Sequence, residues 1–458
     1  MLLAIGIFLA ALGVALRGGR NGLRALVALA IVLSPMRGGL LAIADDLSLG
    51  DPGLTVNALV PALVAAATIG CLVQRRPRLA DLPLPLLLGW VLIALAALLS
   101  FPLSVVGLKL YGIGLAQYLV YPTLALTVWL LLEPGDGRRL TRLVVAVGGV
   151  VAATVLLQAM GVEGFIQAAS AQVDGLAANR YAGITGSYLH TSAFLGTVAV
   201  LAMGELPRLR GAAERIAGSA LLAVVLSGVV LTFSRSGVVI ATIGAVTLAL
   251  FAMGGMRLRF AALVVPAAAI AVAAGSIGGV SPSAAGERVT SGLNPTEDQG
   301  NKLRTESFKL GFEVYGDASI GQKLVGRGVA STGNAQQLVE DEAPPVTVES
   351  YYLKLLVETG AVGLLLIGGF LIWAGVMFAL VAWKPPNPWL ASVAAAGLGL
   401  SLYNVIYPAL ETQILALTWW LLLAICLHSR AEALGADAAQ GREEPVRAAR
   451  QPDALLTR

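Results

Sequence analysis

Long stretches of this chain contain almost no charged residues, and several are as long as a bilayer is thick. A helix that crosses the hydrocarbon region needs about 20 apolar residues, because each residue adds about 1.5 Å. The stretches of this kind are 83–100, 111–132, 216–233, 237–254, 353–383 and 411–427. Hydrophobic residues make up 57% of the chain and charged residues 13%, against about 45–50% and about 25% in soluble proteins. The sequence therefore predicts an all-α, polytopic transmembrane helical bundle with about 12–13 spans.

The positive charges of the chain are concentrated in alternate short loops between these stretches. The basic loops contain Arg17, Arg20 and Arg24, then Arg75, Arg76 and Arg78, then Arg138, Arg139 and Arg142, then Arg208, Arg210 and Arg215, then Arg257 and Arg259, and then Lys384. Loops rich in Lys and Arg face the cytoplasm, so the loops between them lie on the external face. The net charge of +4 therefore reflects topology, and we expect no nucleic-acid partner.

One long polar segment interrupts the apolar pattern and divides the chain. Residues 1–279 are predicted to form an N-terminal transmembrane bundle, and 280–352 a large external loop. Residues 353–428 are predicted to form the C-terminal transmembrane helices. The segment 429–458 is rich in Ala, Arg and Glu and has few residues to bury, so we expect a disordered cytoplasmic tail.

The sequence offers no pattern for a bound cofactor or metal. Cys71 and Cys426 are the only cysteines, and they lack the spacing of a metal site or a disulfide framework. Glu340, Asp341 and Glu342 are adjacent in the loop, which is typical of a solvated turn. Neither a Walker loop nor a glycine-rich dinucleotide motif is present. We therefore expect chemistry without cofactor or metal.

Four arginines stand at the predicted external face, where the topology gives no reason for positive charge. They are Arg180, Arg235, Arg304 and Arg327. An arginine at membrane depth costs about 2.5–3.5 kcal/mol on insertion scales. A single arginine of this kind can reach the headgroups or pair with a carboxylate. Several on one face favour a polyanion, because a guanidinium binds phosphate oxygens in pairs and stays charged.

Motifs between residues 175 and 375 resemble those of a known family. They are Arg180 with Gly183 before a span, Ser234-Arg235-Ser236-Gly237 at an external turn, Gly326-Arg327-Gly328 in the loop, and Leu353, Leu356, Glu358, Gly360 and Gly363 in the segment that closes it. In this order they resemble the bacterial O-antigen ligase and O-antigen polymerase superfamily, membrane glycosyltransferases of the GT-C type.

This resemblance implies a function and a location. The family transfers a glycan from undecaprenyl pyrophosphate to an acceptor hydroxyl at the periplasmic face of the inner membrane. The acceptor is a second lipid-linked glycan for a polymerase of O-antigen or exopolysaccharide, and lipid A core for a ligase. Ligases of the family carry a histidine where this chain has Glu349, which favours the polymerase.

The same resemblance suggests roles for particular residues. The pyrophosphate would be bound by Arg180, Arg235, Arg304 and Arg327. Glu349 is the first candidate for the base and His190 the second. Glu349 could instead cap the helix that follows it, and His190 could be a hydrogen-bonded residue at a helix end. Tyr351 and Tyr352 could stack on sugar rings, or belong to the aromatic belt at the membrane interface.

A polytopic transporter or flippase of lipid-linked glycans is the alternative from another class. Such a protein would carry ionisable residues along a path through its spans. Arg37 is the main ionisable residue within the predicted spans, and the other unexplained charges gather at one face. This distribution favours chemistry at the interface over transport.

Overall fold

The computed structural model describes residues 2–46, 52–78, 81–162, 171–172, 179–209, 211–251, 299–333, 348–385 and 388–449. The predicted boundary at residue 279 and the acidic residues Glu340, Asp341 and Glu342 lie outside the described residues. In the described part the chain is a bundle of α-helices, as the sequence predicts.

The helices before residue 252 are α1 (Leu2–Arg17), α2 (Gly19–Leu33), α3 (Arg37–Asp46), α4 (Pro52–Arg75), α5 (Leu84–Ser100), α6 (Leu108–Leu131), α7 (Asp136–Ala159), α8 (Tyr188–Glu205), α9 (Ala212–Leu231) and α10 (Arg235–Phe251). Those after residue 298 are α11 (Gln299–Gly316), α12 (Ile320–Val325), α13 (Tyr351–Gly363), α14 (Gly369–Trp383), α15 (Pro388–Tyr403) and α16 (Gln413–Ala449). Two short strands, β1 (Ala171–Gln172) and β2 (Asn179–Arg180), pair antiparallel. The last helix continues into the segment predicted to be a tail.

Within the described residues, nine helical segments are long and apolar enough to cross a membrane. Shorter apolar helices cover Ile5–Arg17, Arg235–Leu250 and Trp389–Tyr403. The prediction of an all-α, polytopic membrane protein is therefore confirmed.

Helices α8 and α16 form the centre of the bundle. In the most apolar stretch of each, 83% of the residues are buried, against 33% in α5. Helix α8 packs closely on α10 because glycines face each other: a Cβ added to Gly196 would lie 2.4 Å from the Gly237 carbonyl oxygen. Small residues allow such close approach between membrane helices.

The segment 299–333 is attached to α13 through two glycines. Gly360 has a positive φ of 69° inside α13, and Gly326 follows α12 with a φ of 90°. A Cβ on Gly326 would lie 2.1 Å from the Glu358 carbonyl oxygen, and one on Gly360 would lie 2.5 Å from the Gly326 nitrogen. Both positions therefore require glycine, for backbone conformation and for space.

Ion pairs hold the helices together at the end of the bundle that carries the basic loops. Arg138 Nη2 lies 2.9 Å from Glu205 Oε2, and Arg142 Nε lies 3.1 Å from the same oxygen. Arg24 Nη2 lies 2.5 Å from Asp136 Oδ2. Arg24, Arg138 and Arg142 therefore have carboxylate partners within the protein.

Candidate active site at one end of the bundle

At the opposite end, β2 and the first turns of α8 and α10 meet. The Tyr181 amide nitrogen donates to the Leu231 carbonyl at 3.3 Å. Ser192 Oγ donates to the Ser234 carbonyl at 3.0 Å and accepts from the Gly237 nitrogen at 3.0 Å. These contacts bring the segments that carry Arg180 and Arg235 to the same end of the bundle, as the hypothesis of a shared pocket requires.

Arg180 is held against a tyrosine. Its Nη1 donates to the Tyr188 hydroxyl at 2.7 Å, and its guanidinium carbon lies 4.7 Å from the centre of that ring. Its Nε is buried, and no group of the described residues accepts a hydrogen bond from it. The guanidinium is thus oriented by an uncharged partner and keeps a donor for another group.

His190 contacts a tyrosine that follows α15. His190 Nε2 lies 3.0 Å from the Tyr407 hydroxyl, and the Tyr407 ring stacks on Tyr403 with 5.3 Å between ring centres. Burial, with the negative charges nearby, raises the pKa of the Tyr407 hydroxyl well above its ordinary value. Tyr407 therefore stays neutral and can either donate to the imidazole or accept from it.

Arg304 and Glu349 form an ion pair at the same end. Arg304 Nε donates to Glu349 Oε2 at 3.1 Å, and the Glu349 nitrogen donates to Ser307 Oγ at 2.8 Å. Glu349 does not cap α13, because the Ser350 hydroxyl takes that place by accepting from the Leu353 nitrogen at 3.5 Å. The N-cap residue of α13 is therefore Ser350, and Glu349 precedes it.

Tyr407 connects these groups. Its hydroxyl is near enough to Glu349 and Tyr188 for their charges to affect it, and it touches His190 directly. Tyr403, on which it stacks, lies near both Arg304 and Glu349. The Arg304–Glu349 pair, His190 and the tyrosine partner of Arg180 thus surround one aromatic pair.

Arg327 belongs to a different part of this end. Its nitrogen donates to the Val357 carbonyl at 3.0 Å, and its carbonyl accepts from the Val105 nitrogen at 2.9 Å. It therefore lies between α13 and the connection from α5 to α6. Its Nε is buried without an acceptor among the described residues. The structure gives no contact between Arg327 and the arginines around Tyr407.

The two candidate sugar-binding tyrosines point in different directions. Tyr351 is 7% exposed and begins α13, where its nitrogen donates to the Asn404 carbonyl at 3.1 Å. Tyr352 is half-buried and lies beside Gly368 in the turn before α14. Tyr351 is thus part of the core, and of the two rings only that of Tyr352 is partly exposed.

A buried charge cluster lies directly below this site. Lys354 Nζ lies 2.7 Å from Glu358 Oε1 and 3.5 Å from Glu411 Oε1, and it donates to the Thr332 carbonyl at 3.1 Å. Glu358 also accepts from the Tyr118 hydroxyl at 2.8 Å and from the Thr332 hydroxyl at 2.8 Å. The cluster connects the segment 299–333 to α13, to α6 and to the turn before α16.

Sequence analysis did not identify Tyr407, Lys354 or Glu411 as important. Lys354 and Glu358 are four residues apart in an apolar span, and this spacing could have revealed an ion pair on one helix face. Glu411 and Tyr407 gave no such signal, because their partners are far away in the chain. No group of three or more metal ligands is found among the described residues.

The arrangement combines positive charge, a carboxylate and a neutral aromatic pair. Helices α8, α10 and α13 begin here, and a helix N-terminus carries a partial positive charge that favours anions. The arginines can bind an anion, while Glu349 or His190 can accept a proton. Such a set suits the transfer of a group from an anionic carrier to a hydroxyl.

Comparisons with known proteins agree with this chemistry. Residues 218–368 match the family described as O-antigen ligase, which confirms the resemblance to the O-antigen ligase and polymerase superfamily. The matched segment contains Arg235, Arg304, Arg327 and Glu349. Arg180 and His190 precede it. A comparison with curated proteins gave no match. The described helices are thus those of a multi-pass membrane protein, and one third of the chain is similar to the O-antigen ligase family.

Proposed function

We propose that this chain, whose residues 218–368 match the O-antigen ligase family, transfers a glycan from undecaprenyl pyrophosphate to a sugar hydroxyl at the periplasmic face of the inner membrane. The observation that carries the proposal is the gathering of Arg180, Arg235 and the Arg304–Glu349 pair at one end of the bundle. The reaction needs no metal, because the guanidinium groups supply the positive charge.

The leaving group explains why arginines are needed. When the bond between sugar and pyrophosphate breaks, negative charge develops on the pyrophosphate oxygens, and donors fixed in place stabilise it. Tyr188 holds Arg180 in one orientation through a hydrogen bond of 2.7 Å. Arg235 is the first residue of α10, so the partial positive charge of that helix N-terminus lies beside its guanidinium and also favours an anion.

The acceptor hydroxyl must lose a proton as it attacks, and Glu349 is the first candidate for the base. We expect Glu349→Gln to lower the transfer rate at least about 100-fold, because general-base catalysis contributes about 10²–10⁴. The amide oxygen of glutamine can still accept the hydrogen bond from Arg304 Nε, so the variant should keep the position of the side chain and lose only its basicity. The measurement is single-turnover transfer by purified protein in liposomes.

His190 provides the comparison for this experiment. His190→Ala removes the contact to the Tyr407 hydroxyl and should lower the rate less than Glu349→Gln does. Glu313→Gln, an exposed carboxylate on α11, is the matched control and should leave the rate unchanged. If His190→Ala is inactive and Glu349→Gln is active, His190 is the base and Glu349 is not.

Glu349 at the position of the family's ligase histidine favours the polymerase, whereas the matched family is described as O-antigen ligase. Reconstitution separates the two. Liposomes that contain the protein and lipid-linked repeat units should produce longer glycans. Glycan joined to added lipid A core would instead identify a ligase. Unmodified substrate that moves between the leaflets would contradict the transferase and identify a transporter.

A further inference from the structure

Arg37 is an arginine within a membrane span that no carboxylate of the described residues neutralises. It is the first residue of α3 and lies inside the apolar segment 19–44. Its Nε donates to Asn57 Oδ1 at 2.8 Å, so its partner is an uncharged amide. Several arginines at the basic end, such as Arg138 and Arg142, pair with a carboxylate instead. A half-buried guanidinium whose described partner is uncharged is favourably placed to bind an anion.

The backbone around Arg37 places it beside the site already described. A Cβ on Gly38 would lie 2.4 Å from the Gly186 nitrogen, so α3 begins in direct contact with the turn that follows Arg180. Arg37 also lies close enough to His190 for their charges to interact. Arg37 and Tyr407 therefore both lie close to His190.

We infer that Arg37 is a further binding residue for the diphosphate of the lipid-linked donor, with Asn57 as the residue that positions it. This inference rests on the function proposed above. A diphosphate carries more negative charge than one guanidinium neutralises, and arginine binds two phosphate oxygens at once. Arg180 binds from the side of β2 and Arg37 from the side of α3. Asn57 fixes the guanidinium through Nε and leaves both Nη groups for the ligand.

Binding of inorganic pyrophosphate to the full-length protein in phosphatidylcholine nanodiscs tests this inference without any transfer reaction. We expect Arg37→Gln to weaken binding about 10- to 100-fold, because a hydrogen bond between charged groups is lost. Arg37→Lys keeps the charge but cannot bind two phosphate oxygens in one plane, so its affinity for pyrophosphate should lie between those of the original protein and Arg37→Gln. Arg142→Gln, at the basic end, should bind as the original protein does.

Asn57→Asp is the sharpest variant, because it leaves Arg37 in place and gives it a carboxylate within the protein. We expect it to weaken pyrophosphate binding at least about fivefold, since the new carboxylate competes for the guanidinium. If Arg37 only supports the fold, a carboxylate at this position would leave the affinity unchanged. This variant also decides the question if Arg37→Gln does not fold.

The outcomes separate this inference from the proposed function. If the original protein binds pyrophosphate and both Arg37→Gln and Asn57→Asp bind it equally well, the inference is wrong and the proposed function stands. If the original protein does not bind pyrophosphate, the proposed function itself fails. If phosphatidylglycerol in the nanodisc removes the difference between Arg37→Gln and the original protein, a lipid headgroup is the anion and the inference is again wrong.

Discussion

Replacing Lys354 with methionine should leave little folded protein in the membrane. Lys354 is 2% exposed and lies between Glu358 and Glu411, so its removal takes away the ammonium group that both buried carboxylates contact. Breaking a buried ion pair from one side costs about 3–5 kcal/mol, a large part of the stability of most proteins. Thermal unfolding of the protein in detergent, together with its yield from membranes, measures the effect.

Two further variants test this explanation. Lys309→Met changes an exposed lysine on α11 and should leave the unfolding temperature unchanged. Lys354→Met combined with Glu411→Gln also removes one of the two carboxylates that contact Lys354 and should recover part of the lost stability. The remaining Glu358 keeps hydrogen bonds from Tyr118 and Thr332. A single Lys354→Met variant as stable as the original protein would show that the buried carboxylates do not depend on Lys354.

Arg180→Ala should lower glycan transfer about 100- to 1,000-fold, the usual loss when one fixed donor to a developing anion is removed. The protein should still reach the membrane, because the partner of this guanidinium is the hydroxyl of Tyr188 and no buried carboxylate loses its ion pair. Arg180→Lys should not restore the rate, since an ammonium group cannot bind two phosphate oxygens in one plane.

Arg139→Ala is the matched control for this prediction. Its side chain is 83% exposed and pairs with Asp136 at the basic end. Removing such a surface pair changes stability by about 0–1 kcal/mol, and transfer should continue at the original rate. Comparable transfer by Arg180→Ala and Arg139→Ala would exclude Arg180 from the reaction.

The architecture could be predicted because a bilayer imposes it. A helix is the simplest way to satisfy backbone hydrogen bonds in hydrocarbon, so long apolar stretches became helices. The placement of Arg180 and Arg235 at one end also followed from counting spans. The helical continuation of α16 beyond the span did not follow, because composition alone does not distinguish a charged helix from a disordered tail.

The contacts that build the site could not be predicted. His190 meets Tyr407 and Arg304 meets Glu349 only after helices far apart in the sequence have packed. The sequence showed Glu349 at the start of a span, where a cap and a base look alike. The difference depended on Ser350, which is the better cap because its hydroxyl reaches the Leu353 nitrogen.

The paired glycines Gly326 and Gly360 restrict how relatives of this chain can be recombined. The backbone of one lies against that of the other, with no room for a Cβ on either. Consider a chimaera whose segment 299–333 comes from a relative with a larger residue in place of Gly326. The added side chain would push that segment away from α13. Grafts meant to change which sugars are joined should therefore exchange 299–363 as one block.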